Sequence, residues 1–188
     1  MPKNSDVEIF PAMADSLRVV RRNKENFSVD VVENKYAGKK RWGIVFYGVK
    51  SKLLAYYRLG SKDPTGALTL YALGKFIAEH GIPGKIITDH DGKLGSGKQW
   101  KDYLGRKFVT LSLSELDKHN HNLLEREIQN LKAGFSKIRD DYGAKVLAYH
   151  WEAMEYLFRI NNYVAWASLG NRLPYESFWG GNAQHFYD

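Results

Sequence analysis

From Phe27 onward the chain alternates short β-prone runs with polar turns. Phe27 to Val32, Arg41 to Val49 and Lys52 to Leu59 are rich in Val, Ile, Tyr and Phe. They are separated by Glu33 to Lys40, a polar turn containing Gly38, and by Lys50 and Ser51. This pattern predicts an antiparallel meander of three strands. Asp63-Pro64-Thr65-Gly66 then supplies a capping residue and an early proline. Leu68, Tyr71, Ala72, Phe76 and Ile77 recur at helical spacing until Gly81 stops them. Lys85 to Thr88 reads as a brief buried strand ending at Asp89. The glycine-rich stretch after it (Gly92, Gly95, Gly97) leads into a short helix over Gln99 to Leu104, and Phe108 to Leu113 reads as a fifth strand.

The longest periodic segment places Leu124, Ile128, Leu131, Phe135, Ile138 and Tyr142 three or four residues apart, the stripe of an amphipathic helix ending near Gly143. A further helix is predicted over Val146 to Ala167, with Trp151, Met154, Leu157, Phe158 and Val164 toward the core. Pro174-Tyr175 and Gly180-Gly181 read as loop signals. Three strands, a helix, a strand, a helix, a strand and then long helices describe an α/β layer around a five-stranded mixed sheet flanked by helices. Residues 1–26 mix Pro11, acids and the basic cluster Arg18, Arg21, Arg22 and Lys24, and are expected to form a leading arm. Residues 27–182 form the expected core and 183–188 a tail.

Composition narrows the chemistry. Apolar residues at 44% and aromatics at 14% suffice for a core of ordinary size in 188 residues. A formal charge of +7 favours a polyanionic partner such as nucleic acid. The chain has no cysteine, which excludes disulfides, thiol catalysis and cysteine-based zinc sites. No run of ~18 apolar residues is present to cross a membrane, and Met1 to Asp6 lacks the apolar stretch of a secretory signal. An intracellular, soluble protein is therefore expected.

Three acids stand out. Asp30 interrupts Phe-Ser-Val-Asp-Val-Val, an otherwise mostly apolar strand where a carboxylate must be compensated by a cation, a basic partner or an open sheet edge. Asp89 follows Ile86-Ile87-Thr88, so it emerges at the carboxyl end of a strand, where open α/β sheets place their ligands; a turn-capping role is the alternative. Glu125 lies on the long helix with thirty-five residues between it and Asp89. Spacing alone does not select it, because Asp91 and Glu127 share that separation. At ~100° per residue, Glu125 and Glu127 fall on opposite flanks of the apolar stripe, and Gln129 and Lys132 share the Glu125 side. An ordinary solvated helix face is the alternative there. Together the three carboxylates offer the hard oxygen donors that Mg²⁺ or Mn²⁺ requires, and two such ions serve phosphoryl transfer.

With these residues in view, the chain resembles the integrase core of retroviruses and long-terminal-repeat retrotransposons, and the copia-like branch more closely. The resemblance rests on Phe-Ser-Val-Asp30, Gly-Ile-Pro (81 to 83) before Ile-Ile-Thr-Asp89, Trp100, Asn122-Leu-Leu-Glu125, Leu131-Lys132 and Arg172-Leu-Pro-Tyr-Glu-Ser-Phe-Trp-Gly180. It implies a ribonuclease-H-like fold, homodimers or larger assemblies, and 3′-end processing and strand transfer of element DNA into target DNA. It implies Asp30, Asp89 and Glu125 as catalytic ligands of Mg²⁺ or Mn²⁺, two ions when DNA is bound. Asn122, Gln129 and Lys132 are the implied DNA contacts, and a nuclear location follows if the source is a eukaryotic retroelement. His90-Asp91-Gly92-Lys93-Leu94 departs from the family's usual Asn-Gly continuation, so Asp91 stands as an alternative ligand, and Gln129 replaces a lysine common in relatives. The family's amino-terminal His/Cys zinc module and carboxyl-terminal DNA-binding domain have no counterpart in the sequence. A domesticated, catalytically inactive module that binds DNA or a protein partner is therefore the second expectation.

Other signals have plainer readings. His119 and His121 precede Glu125, but their two-residue spacing points them apart on a helix. Gly-Lys-Leu-Gly-Ser-Gly-Lys lacks the gap and final hydroxyl of a nucleotide-binding loop. Lys35, Lys39, Lys40 and Arg41 fall in the first hairpin, where solvated charge or contact with a DNA backbone is expected.

Overall fold

The computed structural model describes residues 22–36, 38–89, 94, 97–113, 118–143 and 149–180. Five strands form a mixed sheet in the order β3-β2-β1-β4-β5. They are β1 (Asn26–Tyr36), β2 (Lys39–Gly48), β3 (Leu54–Gly60), β4 (Lys85–Thr88) and β5 (Thr110–Leu113). The first three pair antiparallel as the meander predicted, while β4 joins β1 and β5 joins β4 in parallel. Helices α1 (Gly66–His80) and α2 (Lys98–Arg106) connect the parallel strands. The long α3 (Lys118–Tyr142), α4 (His150–Asn161) and the short α5 (Pro174–Trp179) follow.

Period-two alternation sorts the strand residues between two cores. Phe27, Val29, Ile44, Phe46 and Ile86 pack with Leu73, Phe76 and Ile77 of α1 and Trp100 of α2. Val32, Val45, Tyr47 and Leu54 pack on the other face with Leu124, Ile128, Leu131 and Phe135 of α3 and Met154 and Phe158 of α4. Strand β2 is covered on both faces, which explains its unbroken Ile44-Val45-Phe46-Tyr47 run. Gly43 is required by close approach, since a Cβ there would collide with the Tyr56 ring, itself stacked on Phe158 at 4.6 Å between centroids.

Helix α1 starts within the predicted Asp63–Gly66 stretch, but Pro64 precedes the cap instead of opening the helix: the cap is Thr65, whose hydroxyl accepts from the Leu68 N–H at 3.3 Å, and Gly81 closes the helix with φ 87°. Four expectations need correction. The polar stretch Glu33 to Lys40 is mostly paired strand and not a turn, since β1 runs on to Tyr36 and β2 already starts at Lys39. The fifth strand begins at Thr110, because Phe108 adopts φ 54° and is 84% exposed in the turn leaving α2. The last long helix does not continue to Ala167. Its helical hydrogen bonding ends at Asn161, Val164 is exposed rather than in the core, and its expected start at Val146 lies outside the described residues. Pro174-Tyr175 opens a helix instead of a loop, with proline in the first turn and Glu176 accepting from the Leu173 N–H at 3.2 Å.

Asn162, the residue after α4, ties that end of the helix to the sheet. Its side-chain amide accepts from the Leu54 N–H and donates to the Leu54 carbonyl, both at 2.8 Å, imitating one rung of a neighbouring strand at the open edge of β3. Asn162→Ala strands both buried backbone groups. We expect a loss of about 1–3 kcal/mol, read as a lower urea midpoint at unchanged slope.

Candidate active site

The register between β1 and β4 pairs Ser28 with Ile87. Two residues further along each parallel strand are Asp30, midway along β1, and Asp89, just past the carboxyl end of β4, which therefore lie level and on the same face of the sheet. That face is the one carrying Val32 and Tyr47, covered by α3 and α4. Both aspartates are half-buried. The Asp30 Oδ1 accepts the Val31 N–H at 2.7 Å, fixing one carboxylate oxygen against its own backbone.

Helix α3 packs across β1 and β4, and its flanks separate the two glutamates as helical geometry predicts. Glu127 is only 6% exposed. Its charge reaches Tyr47, whose phenol is pushed well above its ordinary range first by burial and then by Glu127. The same carboxylate partly offsets the downward pull of burial on the Lys52 ammonium. Gly134, one heptad after Glu127 and on its flank, lies against Leu157 of α4. Glu125 is exposed on the opposite flank with Gln129, while Lys132 beside them is half-buried and Asn122 is exposed one turn earlier. Glu125, Gln129 and Lys132 thus share a flank turned away from α4.

Carboxylates are hard oxygen donors of the kind a divalent cation takes, and Asp30 and Asp89 are level on adjacent strands. The third donor is not drawn in. Among the described residues no three His, Cys, Asp or Glu side chains gather into a group able to hold a metal. Asp91, the alternative ligand, and the side chain of His121 lie outside the described residues; His119 is exposed.

Sequence reasoning passed over Ser28. It sits on the Asp30 face one strand pair below the carboxylates, fully buried, with its Oγ lacking any hydrogen-bond partner. Its place two residues before Asp30 was the available signal. A cavity of about 340 Å³ at the edge of β3, lined by Tyr57, His80, Glu155, Arg159 and Asn162 among others, includes none of the three carboxylates. Its one histidine, His80, is held below its ordinary pKa by burial. Among the described residues no helix is long and apolar enough to cross a membrane.

No protein-family model and no curated protein matches the chain. Solved structures do. The HTLV-2 integrase catalytic core domain in complex with magnesium, in its trimeric form, matches with a TM-score of 0.67 at 18% identity, over 82% of this chain and 96% of that one. The catalytic core domain of BIV integrase matches with a TM-score of 0.63 at 13% identity, over 86% and 97%. A chain of the simian T-cell lymphotropic virus intasome, in complex with the PP2A regulatory subunit B56 gamma, matches with a TM-score of 0.67 at 15% identity, over 88% of this chain and 59% of that one. The neighbours are retroviral integrase cores, and the fold is the ribonuclease-H-like α/β fold that the sequence resemblance implied. At these identities the likeness defines the fold, not the chemistry.

Proposed function

We propose that the chain is the catalytic core of a retroelement-type integrase that cuts and joins DNA strands by metal-dependent polynucleotidyl transfer. The observation that carries this reading is the register that levels Asp30 with Asp89 on the face covered by α3. Asp30, Asp89 and Glu125 would hold Mg²⁺ or Mn²⁺, two ions with DNA bound. Such ions polarise a phosphate and activate a water or 3′-hydroxyl beside it. The chain's own part is to hold the donors on rigid strands and a helix, and to seat DNA against that helix. Lys132 supplies a point charge to a phosphate, while Asn122 and Gln129 offer hydrogen bonds to the DNA backbone. Glu125 completes the ligand set by turning its exposed side chain toward the strand ends. The Arg172-Leu-Pro-Tyr-Glu stretch favours the copia-like branch, and the dimeric and trimeric states named for the HTLV-2 core domain favour a homo-oligomer.

A disintegration assay, in which the protein resolves a branched DNA with Mn²⁺ or Mg²⁺, tests the reading. Metal-dependent product is expected from the wild type and from Glu127→Gln, and its loss from Glu125→Gln. Loss in Glu127→Gln alone would move the third ligand to the buried flank of α3. The ungathered third donor supports a second reading, a domesticated module that binds DNA without cutting it. Retained DNA binding with no product from any of the three proteins would select it.

A further inference from the structure

The β1–β2 hairpin is longer than the sheet it belongs to. Strand β3 ends opposite Trp42, and β4 pairs with β1 only over Asn26–Ser28. The pairs Asn34↔Arg41, Lys35↔Lys40 and Tyr36↔Lys39 therefore have a strand neighbour on neither side; the base of this two-stranded ribbon is tied to α4 by the Asn34 amide, which donates to the Met154 Sδ at 3.4 Å, and its outer pairs extend beyond the sheet. The ribbon is the carboxyl end of β1, several residues beyond Asp30, and runs in the direction in which Asp89 leaves β4. Lys35 lies five residues beyond Asp30, or ~17 Å along the strand, a distance of about five base-pair steps of duplex DNA.

Its charge is predominantly positive. Lys35, Lys39 and Lys40 are exposed and Arg41 half-buried, against the single acid Glu33. Lys35 and Lys40 are directly opposite one another, an arrangement of like charges that destabilises a strand pair. Glu33 offsets part of this through its 3.1 Å bridge to Lys40, whose ammonium also lies 5.8 Å from the Trp42 ring centroid. The cations are distributed over both faces. By strand alternation Lys39 and Arg41 share the face of Asp30, while Lys35 and Lys40 share the opposite one. A patch lying flat on a surface needs charge on one face only. A ribbon entering a groove meets phosphates on both walls, and the ~12 Å major groove of B-form DNA admits a two-stranded ribbon.

We propose that this ribbon is a duplex-DNA arm, inserting into the major groove beside the carboxylates, with Lys35 and Lys40 on one wall and Lys39 and Arg41 on the other. The assignment rests on the DNA-joining reading above for its partner, and on the ribbon alone for its geometry. Its contacts are to phosphates, so it binds without sequence preference. It fixes the position of the duplex about half a helical turn from the aspartates.

The test is fluorescence anisotropy on a labelled 30-base-pair duplex without divalent metal, across a salt series. It compares wild type, Lys35→Ala/Lys39→Ala with one charge removed from each face, and the control Lys75→Ala/Lys107→Ala with the same charge removed at the far end of the sheet. Thermal melts confirm that all three fold. Loss of two phosphate contacts is expected to make the slope of log K against log[salt] shallower by about 1.8 in the ribbon variant, with the control unchanged. A ribbon variant with the wild-type slope, or two variants with equal losses, overturns the proposal. Because no metal or product is involved, the outcome is separable from disintegration: a lost slope without wild-type product sinks the enzyme reading only, and product with an unchanged slope sinks the arm only.

Discussion

Asp30→Asn and Asp89→Asn are each expected to lower metal-dependent disintegration by at least about 100-fold, since mutating even the groups behind a metal's ligands costs roughly 10–100-fold. The reason lies in the strand register. With the two aspartates level on adjacent parallel strands, either substitution halves the charge the pair offers while preserving the shape and the main-chain ladder. A second readout separates a lost ligand from a damaged fold. Mn²⁺ binds only the folded site, so it should raise the wild-type melting temperature with concentration. Each asparagine variant should gain little in melting temperature on adding it. A variant that responds to Mn²⁺ like the wild type while losing product would remove that aspartate from the ligand set and leave it a role in seating DNA.

Trp100→Ala should produce the largest loss of stability, about 3–5 kcal/mol, a fifth or more of what a domain ordinarily has. Trp100 is fully buried, and its indole N–H donates to the Thr69 hydroxyl at 3.0 Å. That hydroxyl in turn donates to the Gly66 carbonyl at 3.0 Å in the first turn of α1. One side chain therefore fills the core under α2 and ties α2 to α1, the two helices that carry the chain across to its parallel strands. Trp100→Phe keeps most of the ring and loses the bond, so its expected cost is nearer about 1 kcal/mol. Urea unfolding followed by circular dichroism reads both. Equal losses in the two variants would assign the stability to the hydrogen bond, and a small loss in Trp100→Ala would show that the core around it collapses to fill the space.

Much of this architecture is legible in the order of residues because it follows from local periodicity. The alternation in β1 and β2, the Thr65 cap and Gly81 stop of α1, and the three- and four-residue steps of α3 each specify an element through its own backbone geometry and the faces it must bury. Where the reading failed, a distant partner decided. Beyond Asn161 the chain is held by a distant contact: the next residue, Asn162, bonds Leu54, 108 positions away, through its side-chain amide. Helix α5 forms although Leu173 is a poor cap, helped by Phe178 packing edge-on against Phe27 at 5.9 Å between centroids. Phe108 looked like the start of a strand, yet Val109 is tied back to the Leu104 carbonyl and the turn leaves the phenyl ring in water.

The candidate site divides in the same way. The sequence by itself determined which acids to consider: Asp30 in a strand otherwise built for burial, Asp89 at a strand end, and Glu125 on the flank opposite Glu127, because helical rotation is a property of one segment alone. Only the tertiary structure decided that Asp30 and Asp89 stand level, that Glu127 is the buried glutamate facing Tyr47 and Lys52, and that the basic hairpin extends beyond the sheet, several residues past Asp30. Register between strands nearly sixty residues apart, and the side of a helix that meets its neighbours, are set by how separate elements pack, and no single stretch of chain carries that information.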